Sequence, residues 1–117
     1  MNGTKQLRDL GQSLWLDNIT RDILDNGTLQ HYIDDFSITG LTSNPTIFEH
    51  AIAGTAAYDA EIGRLHNRGI SGESLFFELA LHDLVRAADL FAPVYRKTGG
   101  FDGFVSLEVS PFLAYDI

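Results

Sequence analysis

The sequence contains no cysteine, which excludes disulfide bonds, thiolate catalysis and cysteine-based zinc sites. It also lacks any apolar run that approaches the roughly 18 residues of a membrane-spanning helix. Basic residues are few, and the formal net charge of -8 argues against a surface for nucleic acid or anionic membranes. These absences favour a cytoplasmic protein with no nucleic-acid partner and no membrane partner.

Lysine is nearly absent, since only Lys5 and Lys97 occur in the chain. This scarcity matters because Schiff-base chemistry on a carbonyl substrate needs a lysine amine. Glycine-rich phosphate-binding loops are also missing. Four histidines are present, but none has the spacing of a zinc ligand pair, and we interpret them as surface or packing residues: His31, His50, His66 and His82.

Apolar residues make up 44% of the chain, as in an ordinary globular domain. Three short segments rich in apolar and β-branched residues predict buried strands, at residues 13–17, 38–43 and 103–110. The third of these segments is followed by Pro111, which should end the strand.

Helical patterns fill the gaps between the predicted strands. Two short helices are expected at residues 20–25 and from Thr28 to about Asp35, and a helix should begin at Pro45 and stop at Gly54. Residues 55–67 are predicted to continue as a helix. The longest helix is expected after residue 71, with an apolar face made of positions three and four residues apart, and Pro93 should kink or end it. The members of that face are Phe77, Ala80, Leu81, Leu84, Ala88, Phe91 and Tyr95.

The alternation of strand and helix predicts an α/β fold with parallel strands joined by right-handed crossovers. Three strands are fewer than a closed barrel or a doubly wound sheet requires. No linker or repeat marks a second domain. Residues 1–117 are therefore expected to form part of one larger domain.

Polar residues close the first two predicted strands. Asp17 ends an otherwise apolar strand, where burial would disfavour its charged form, and Thr42 and Asn44 lie at the end of the second strand. In a parallel sheet these side chains converge at one edge, where binding sites form. The competing interpretation is helix capping, by Asp17 before the helix at 20–25 and by Asn44 before Pro45. Taken alone, each residue favours the cap.

Glu108 interrupts a strand that should be buried on both faces, where an unpaired carboxylate is costly. Alternation predicts that Phe104, Ser106 and Glu108 share the inward face, while Val105 and Leu107, with Val109, meet the helices. A functional carboxylate is favoured over an ion pair at an edge strand.

Three motifs, in order, resemble successive segments of transaldolases: Gly-Gln-Ser-Leu-Trp-Leu-Asp at 11–17, Thr-Gly-Leu-Thr-Ser-Asn-Pro-Thr-Ile-Phe at 39–48, and Gly-Phe-Val-Ser-Leu-Glu-Val-Ser-Pro at 103–111. Residues 73–94 also look like the long helix of that family. The resemblance implies a partial (β/α)8 TIM barrel of class I aldolase type, in which residues 1–117 supply the first three strands with their helices.

The resemblance further implies transfer of a dihydroxyacetone unit from sedoheptulose 7-phosphate to glyceraldehyde 3-phosphate, a step of the pentose phosphate pathway. Sugar phosphates would be the binding partners, without a metal or organic cofactor. Asp17 would be the catalytic acid and base, and Glu108 would act through a water molecule during Schiff-base formation and hydrolysis. Asn44 would hold a substrate hydroxyl, with Thr42 beside it in the pocket.

The family's Schiff-base lysine is expected on the following strand, which the 117 residues do not include. Lys5 and Lys97 lie at positions from which neither can replace it, so we expect no turnover from this chain alone. The main alternative is a non-catalytic partial barrel that self-associates or complements another chain. A third interpretation is a different aldolase-like or sugar-phosphate-binding barrel that shares these early strands.

Overall fold

The computed structural model describes residues 3–108, so the predictions made for Val109, Ser110 and Pro111 lie outside it. Its elements alternate as helix and strand in this chain order: α1 (Gly3–Asp9), β1 (Trp15–Leu16), α2 (Arg21–Asp25), α3 (Thr28–Phe36), β2 (Gly40–Ser43), α4 (Pro45–Ala53), α5 (Asp59–Asn67), α6 (Gly72–Lys97) and β3 (Phe104–Leu107). Within residues 3–108 no helix combines the length and apolar content needed to cross a membrane.

The three strands form one parallel sheet in the order β1-β2-β3, which confirms the predicted α/β class. Leu16 pairs with Leu41, and Thr42 pairs with Ser106, so consecutive strands are neighbours along the whole described sheet. Helices connect β1 to β2 and β2 to β3, as parallel pairing requires.

The hydrophobic core lies between one face of this sheet and the helices. Leu41, Phe48 and Phe91 are fully buried there, and Val105 and Leu107 pack against the same cluster. The alternate residues of β3 are exposed, which confirms the predicted division of that strand into two faces. A second, smaller cluster joins α5 to α6.

The bounds of α4 are those predicted, Pro45–Ala53. Asn44 caps the helix, Pro45 occupies its first turn, and Gly54 ends it. Proline fits this place because the first turn needs no amide donor and its fixed φ suits the helix.

Several boundaries differ from the prediction, and all three strands are shorter than expected, since β2 begins at Gly40 and β3 at Phe104. β1 has only two residues, and α5 begins at Asp59 instead of continuing from residue 55. The amide of Ala57 donates to the Thr55 hydroxyl at 3.2 Å, which makes a local turn in place of a helical bond. The following Tyr58 side chain is fully buried. α1, rich in polar residues, was not predicted.

The prediction that Pro93 ends or kinks the last long helix is wrong as to its end, since α6 continues to Lys97. Proline removes the bond to the carbonyl of Asp89, but both residues are exposed, so water can hydrate that carbonyl. The predicted apolar face is also partly wrong. Leu81 and Tyr95 are about half exposed, while Asp83 is fully buried.

Candidate active site

The predicted site residues lie at the carboxyl ends of three neighbouring strands. Asp17 follows β1, Asn44 follows β2 and Glu108 follows β3. Continuing the pairing of Leu16 with Leu41 puts Asp17 level with Thr42. Asn44 and Glu108 lie two residues farther along their strands, about 7 Å beyond that level. One edge of the sheet therefore holds all four residues.

A hydrogen bond joins the first two strands at this edge. The Thr42 hydroxyl donates to Oδ1 of Asp17 at 2.7 Å. Asp17 is exposed, so the burial expected for it is not found; it ends the edge strand of the described sheet, and its face of the sheet is open. Nor does Asp17 cap α2, because Thr20 accepts from the Ile23 amide there at 3.2 Å. The Asp17 carboxylate is held by Thr42 and open to a ligand.

Asn44 does act as a helix cap. Its Oδ1 accepts from the Ile47 amide at 2.9 Å, which fixes the side chain at the start of α4. The cap uses the oxygen of the side-chain amide, whereas the Nδ2 group keeps its capacity to donate. A ligand hydroxyl would therefore meet a donor at Asn44.

Glu108 extends the β2–β3 ladder by one residue. Its backbone amide donates to the carbonyl of Ser43 at 2.9 Å, and the Ser43 hydroxyl donates to the carbonyl of Ser106 at 3.0 Å. The Glu108 side chain is exposed, on the same face as Phe104 and Ser106. This is the face on which the sequence predicted it, and it lies opposite the core.

Two aromatic rings lie on the same face of the sheet, closer to the amino ends of the strands than the polar site residues. A Cβ at Gly40 would lie 2.4 Å from Cε2 of Trp15, so the indole lies against the Gly40 backbone. Trp15 and Phe104 are 39% and 45% exposed, although both are large and apolar. The polar side chains at the site edge are therefore next to an apolar surface on the same face of the sheet.

A buried ionic cluster around Arg21, the first residue of α2, was not predicted. The Arg21 guanidinium bonds Asp83 through Nε at 2.9 Å and Glu61 through Nη1 at 2.7 Å, and it lies 4.1 Å from the centre of the Tyr58 ring. Tyr58 also donates its hydroxyl to Asp83. These four residues, Arg21, Tyr58, Glu61 and Asp83, are called the Arg21 cluster below.

The charges of the Arg21 cluster follow from its contacts. Burial alone would lower the pKa of Arg21, but its bonds to Asp83 and Glu61 outweigh that effect and raise the pKa. Burial would raise the pKa of Glu61, yet hydrogen bonds with His82 and Arg21 lower it. Burial and the bond to Asp83 raise the pKa of Tyr58 far above its ordinary value, so this hydroxyl stays protonated and donates.

The two lysines lie away from the site edge. Lys97, at the end of α6, lines a cavity of about 240 Å³ with Thr39, which precedes β2. That cavity is at the amino ends of the strands. Lys5 is exposed on α1 and forms an ion pair with Asp9 at 2.7 Å. The described chain therefore offers no amine beside Asp17. Within residues 3–108, no group of three metal-ligating side chains is found.

The family model described as "Transaldolase/Fructose-6-phosphate aldolase" matches residues 14–117. The chain belongs to the transaldolase/fructose-6-phosphate aldolase family. Relatives named transaldolase match nearly all of it. One from Thiobacillus denitrificans is 44% identical over 99% of this chain, and one from Arthrobacter is 45% identical over 97%. Transaldolase 2 of Nostoc punctiforme is 42% identical over 98%.

The chain spans only about a third of these relatives, 32% of the Thiobacillus denitrificans protein and 30% of the other two. Transaldolases form a (β/α)8 barrel, and the three parallel strands described above, with the helices between them, agree with part of such a barrel. In a barrel, the face with Trp15, Thr42 and Ser106 points inward. The inward face is exposed because only three strands of the sheet are described.

Proposed function

We propose that residues 1–117 supply one half of a transaldolase active site, and that the activity of the whole protein is transfer of a dihydroxyacetone unit between sugar phosphates. The observation that carries the proposal is the Thr42–Asp17 bond at an edge that also holds Asn44 and Glu108. The match to transaldolases along nearly the whole chain supports it. The compartment proposed for this enzyme is the cytoplasm.

In the proposed reaction, a lysine elsewhere in the barrel forms a Schiff base with the ketose phosphate. Asp17 removes the proton from the hydroxyl next to the breaking carbon–carbon bond and returns a proton during transfer to the acceptor. Glu108 acts through water when the Schiff base forms and is hydrolysed. The Nδ2 group of Asn44 donates to a substrate hydroxyl. Sedoheptulose 7-phosphate and glyceraldehyde 3-phosphate would give a four-carbon aldose phosphate and a six-carbon ketose phosphate.

The test joins residues 1–117 to the rest of the Thiobacillus denitrificans relative; this protein is called the fused enzyme. We expect dihydroxyacetone transfer by the fused enzyme and none by the 117-residue chain. Asp17→Asn should lower kcat about 10²- to 10⁴-fold, the usual contribution of a general acid or base. Asp22→Asn, on the exposed part of α2, is the matched control. A folded fused enzyme without transfer activity would contradict the proposal.

A second candidate is a partial barrel that associates with itself or with a complementing chain. The exposed rings of Trp15 and Phe104 favour it, because such apolar surface is normally covered. Mixing the chain with the separately produced remainder of the relative separates the candidates. Recovery of activity on mixing supports complementation, whereas activity only in the fused enzyme supports a covalent whole.

The family description also names fructose-6-phosphate aldolase, which corresponds to the reading of a different aldolase-like barrel. Assaying the fused enzyme without an acceptor distinguishes the two reactions. Release of free dihydroxyacetone would favour the aldolase, and dependence on an aldehyde acceptor would favour transfer.

A further inference from the structure

The Arg21 cluster lies next to the candidate acid in the chain. Arg21 follows Asp17 by four residues, and the two are separated by a segment that is itself anchored. Ile19 is fully buried in the main core, and Thr20 caps α2. The segment from Asp17 to Arg21 therefore has little freedom once Arg21 is fixed.

Both the backbone and the side chain of Arg21 are held from other helices. Its amide donates to the Tyr58 hydroxyl at 3.1 Å, and its guanidinium bonds Glu61 of α5 and Asp83 of α6. The Arg21 side chain is 8% exposed and that of Asp83 is fully buried. The helices α5 and α6, which lie between β2 and β3, thus hold the chain in place shortly after β1.

β1 itself gives Asp17 weak support. It has two residues and pairs only with β2 in the described sheet. A proton-transfer group must be held within about 0.5 Å of its productive position. Asp17 has one such restraint from Thr42 on the sheet side, and the Arg21 cluster can supply another from the helix side.

The composition of the Arg21 cluster argues against stability as its main role. A buried ion pair contributes little to stability compared with apolar residues of similar volume. Arg21 also carries a buried Nη2 group that has no partner in the described part of the chain. An unpaired buried donor lowers the stability of the fold. The planar guanidinium, however, donates in two directions and so fixes the orientation of the Arg21 side chain between the two helices.

We propose that Arg21 is a positioning residue, which ties the end of β1 to α5 and α6 and so holds Asp17 in its place beside Thr42. The catalytic part of this inference rests on the proposed function. Tyr58→Phe tests it most selectively, since the ring remains over the guanidinium while the hydroxyl that joins the Arg21 amide to Asp83 is removed.

The first measurement needs no activity. Trp15 is the single tryptophan of the chain and lies on β1, so its fluorescence reports the position of that strand. In the 117-residue chain, at a concentration where sedimentation shows monomer, Tyr58→Phe should shift Trp15 emission to longer wavelength and increase quenching by acrylamide, with the helical circular dichroism unchanged. Tyr95→Phe, about half exposed on α6, is the control and should match the parent.

The second measurement uses the fused enzyme. Tyr58→Phe should lower kcat about tenfold with KM unchanged. Displacing a catalytic group by roughly 1 Å can lower the rate by up to about 10²-fold. In the Asp17→Asn background, Tyr58→Phe should have no further effect. An equal loss in both backgrounds would show that the Arg21 cluster does not act through Asp17, and would overturn the proposal.

If Tyr58→Phe loses its helical circular dichroism, Glu61→Gln is the replacement variant for both measurements. This substitution removes one charge of the Arg21 cluster and keeps the shape of the side chain. Unchanged Trp15 fluorescence in a folded variant would also overturn the proposal. An inactive fused enzyme would count against the proposed function only, because the fluorescence measurement judges the position of β1 independently.

Discussion

At the scale of single residues, the Thr42 hydroxyl connects two strands through Asp17. The bond is exposed, and water screens it, so it contributes little to stability. This bond orients a carboxylate that is otherwise exposed, so its loss should affect the reaction more than the fold.

Thr42→Val in the fused enzyme should lower kcat about tenfold, because Asp17 loses the bond that orients it. A tenfold fall corresponds to about 1.4 kcal/mol of lost transition-state stabilisation. Thr42→Ser keeps the hydroxyl and should retain most of the activity. Thr46→Val, at an exposed position of α4, is the control for the exchange itself. Steady-state kinetics equal to those of the parent in Thr42→Val would remove Thr42 from the site.

Gly40→Ala should destabilise the chain by about 1–3 kcal/mol, because the new methyl group overlaps the Trp15 indole. Urea unfolding followed by circular dichroism measures this. Gly63→Ala is the matched control, since Gly63 lies in α5 with open space around its Cβ position. That variant should be more stable by about 0.5–1 kcal/mol. Equal stabilities would show that Trp15 moves aside without cost.

The sequence predicted that Asp17, Asn44 and Glu108 lie at the ends of strands, because each one closes or interrupts a strand-like segment; their roles in a site stay a prediction. It did not predict the Arg21 cluster. Arg21 and Asp83 lie in helical patterns where charged residues are normally exposed, but both are buried, in contact with Tyr58 just before α5 and, for Arg21, with Glu61 of α5. The nearest signal was Asp83 itself, which shares a helix face with Ala80 and Ala87.

At the scale of elements, the positions of the strands followed from their apolar runs, and most helix bounds followed from hydrophobic periodicity together with residues that start or stop a helix. The face of α6 did not, because the helix carries apolar residues on more than one side. Leu81 and Val85 are 50% and 58% exposed, while Leu79 and Ala87 are buried. Periodicity gives the spacing of apolar residues, but neighbouring helices decide which stripe is covered.

α5 is fastened to α2 through Glu61, and this contact should depend on pH. The folded-state pKa of Glu61 is lowered, so its stabilisation is complete above about pH 4.5 and is lost as pH falls through the lowered value. Between pH 6 and about pH 3, Glu61→Gln should lose less unfolding free energy than the parent.

The control for that comparison is Glu49→Gln, an exposed position on α4, which should follow the parent. Urea unfolding at several pH values measures the difference. If Glu61→Gln and the parent have parallel pH profiles, ionised Glu61 does not hold α5 in place.

At the scale of the whole molecule, the sheet presents an uncovered face and unpaired strand edges within the described residues. Exposed strand edges and apolar rings promote association. We therefore expect sedimentation velocity to show concentration-dependent oligomers of the 117-residue chain.

Phe104→Ser should shift that equilibrium toward monomer, because Phe104 lies on the open face of β3. Phe101→Ser is the matched control, since Phe101 is 72% exposed but lies in the turn before the strand. Equal effects of both changes would indicate non-specific hydrophobic association and would contradict association through the open face of the sheet.

The bond between Arg21 and Asp83 joins positions 62 residues apart. A ribosome releases the amino end first, at roughly 5–20 residues per second. Arg21 therefore waits several seconds for its partner on α6. During that interval the bond between Arg21 and Asp83 cannot form, so the contacts that fix Arg21 are completed only after most of α6 has been made.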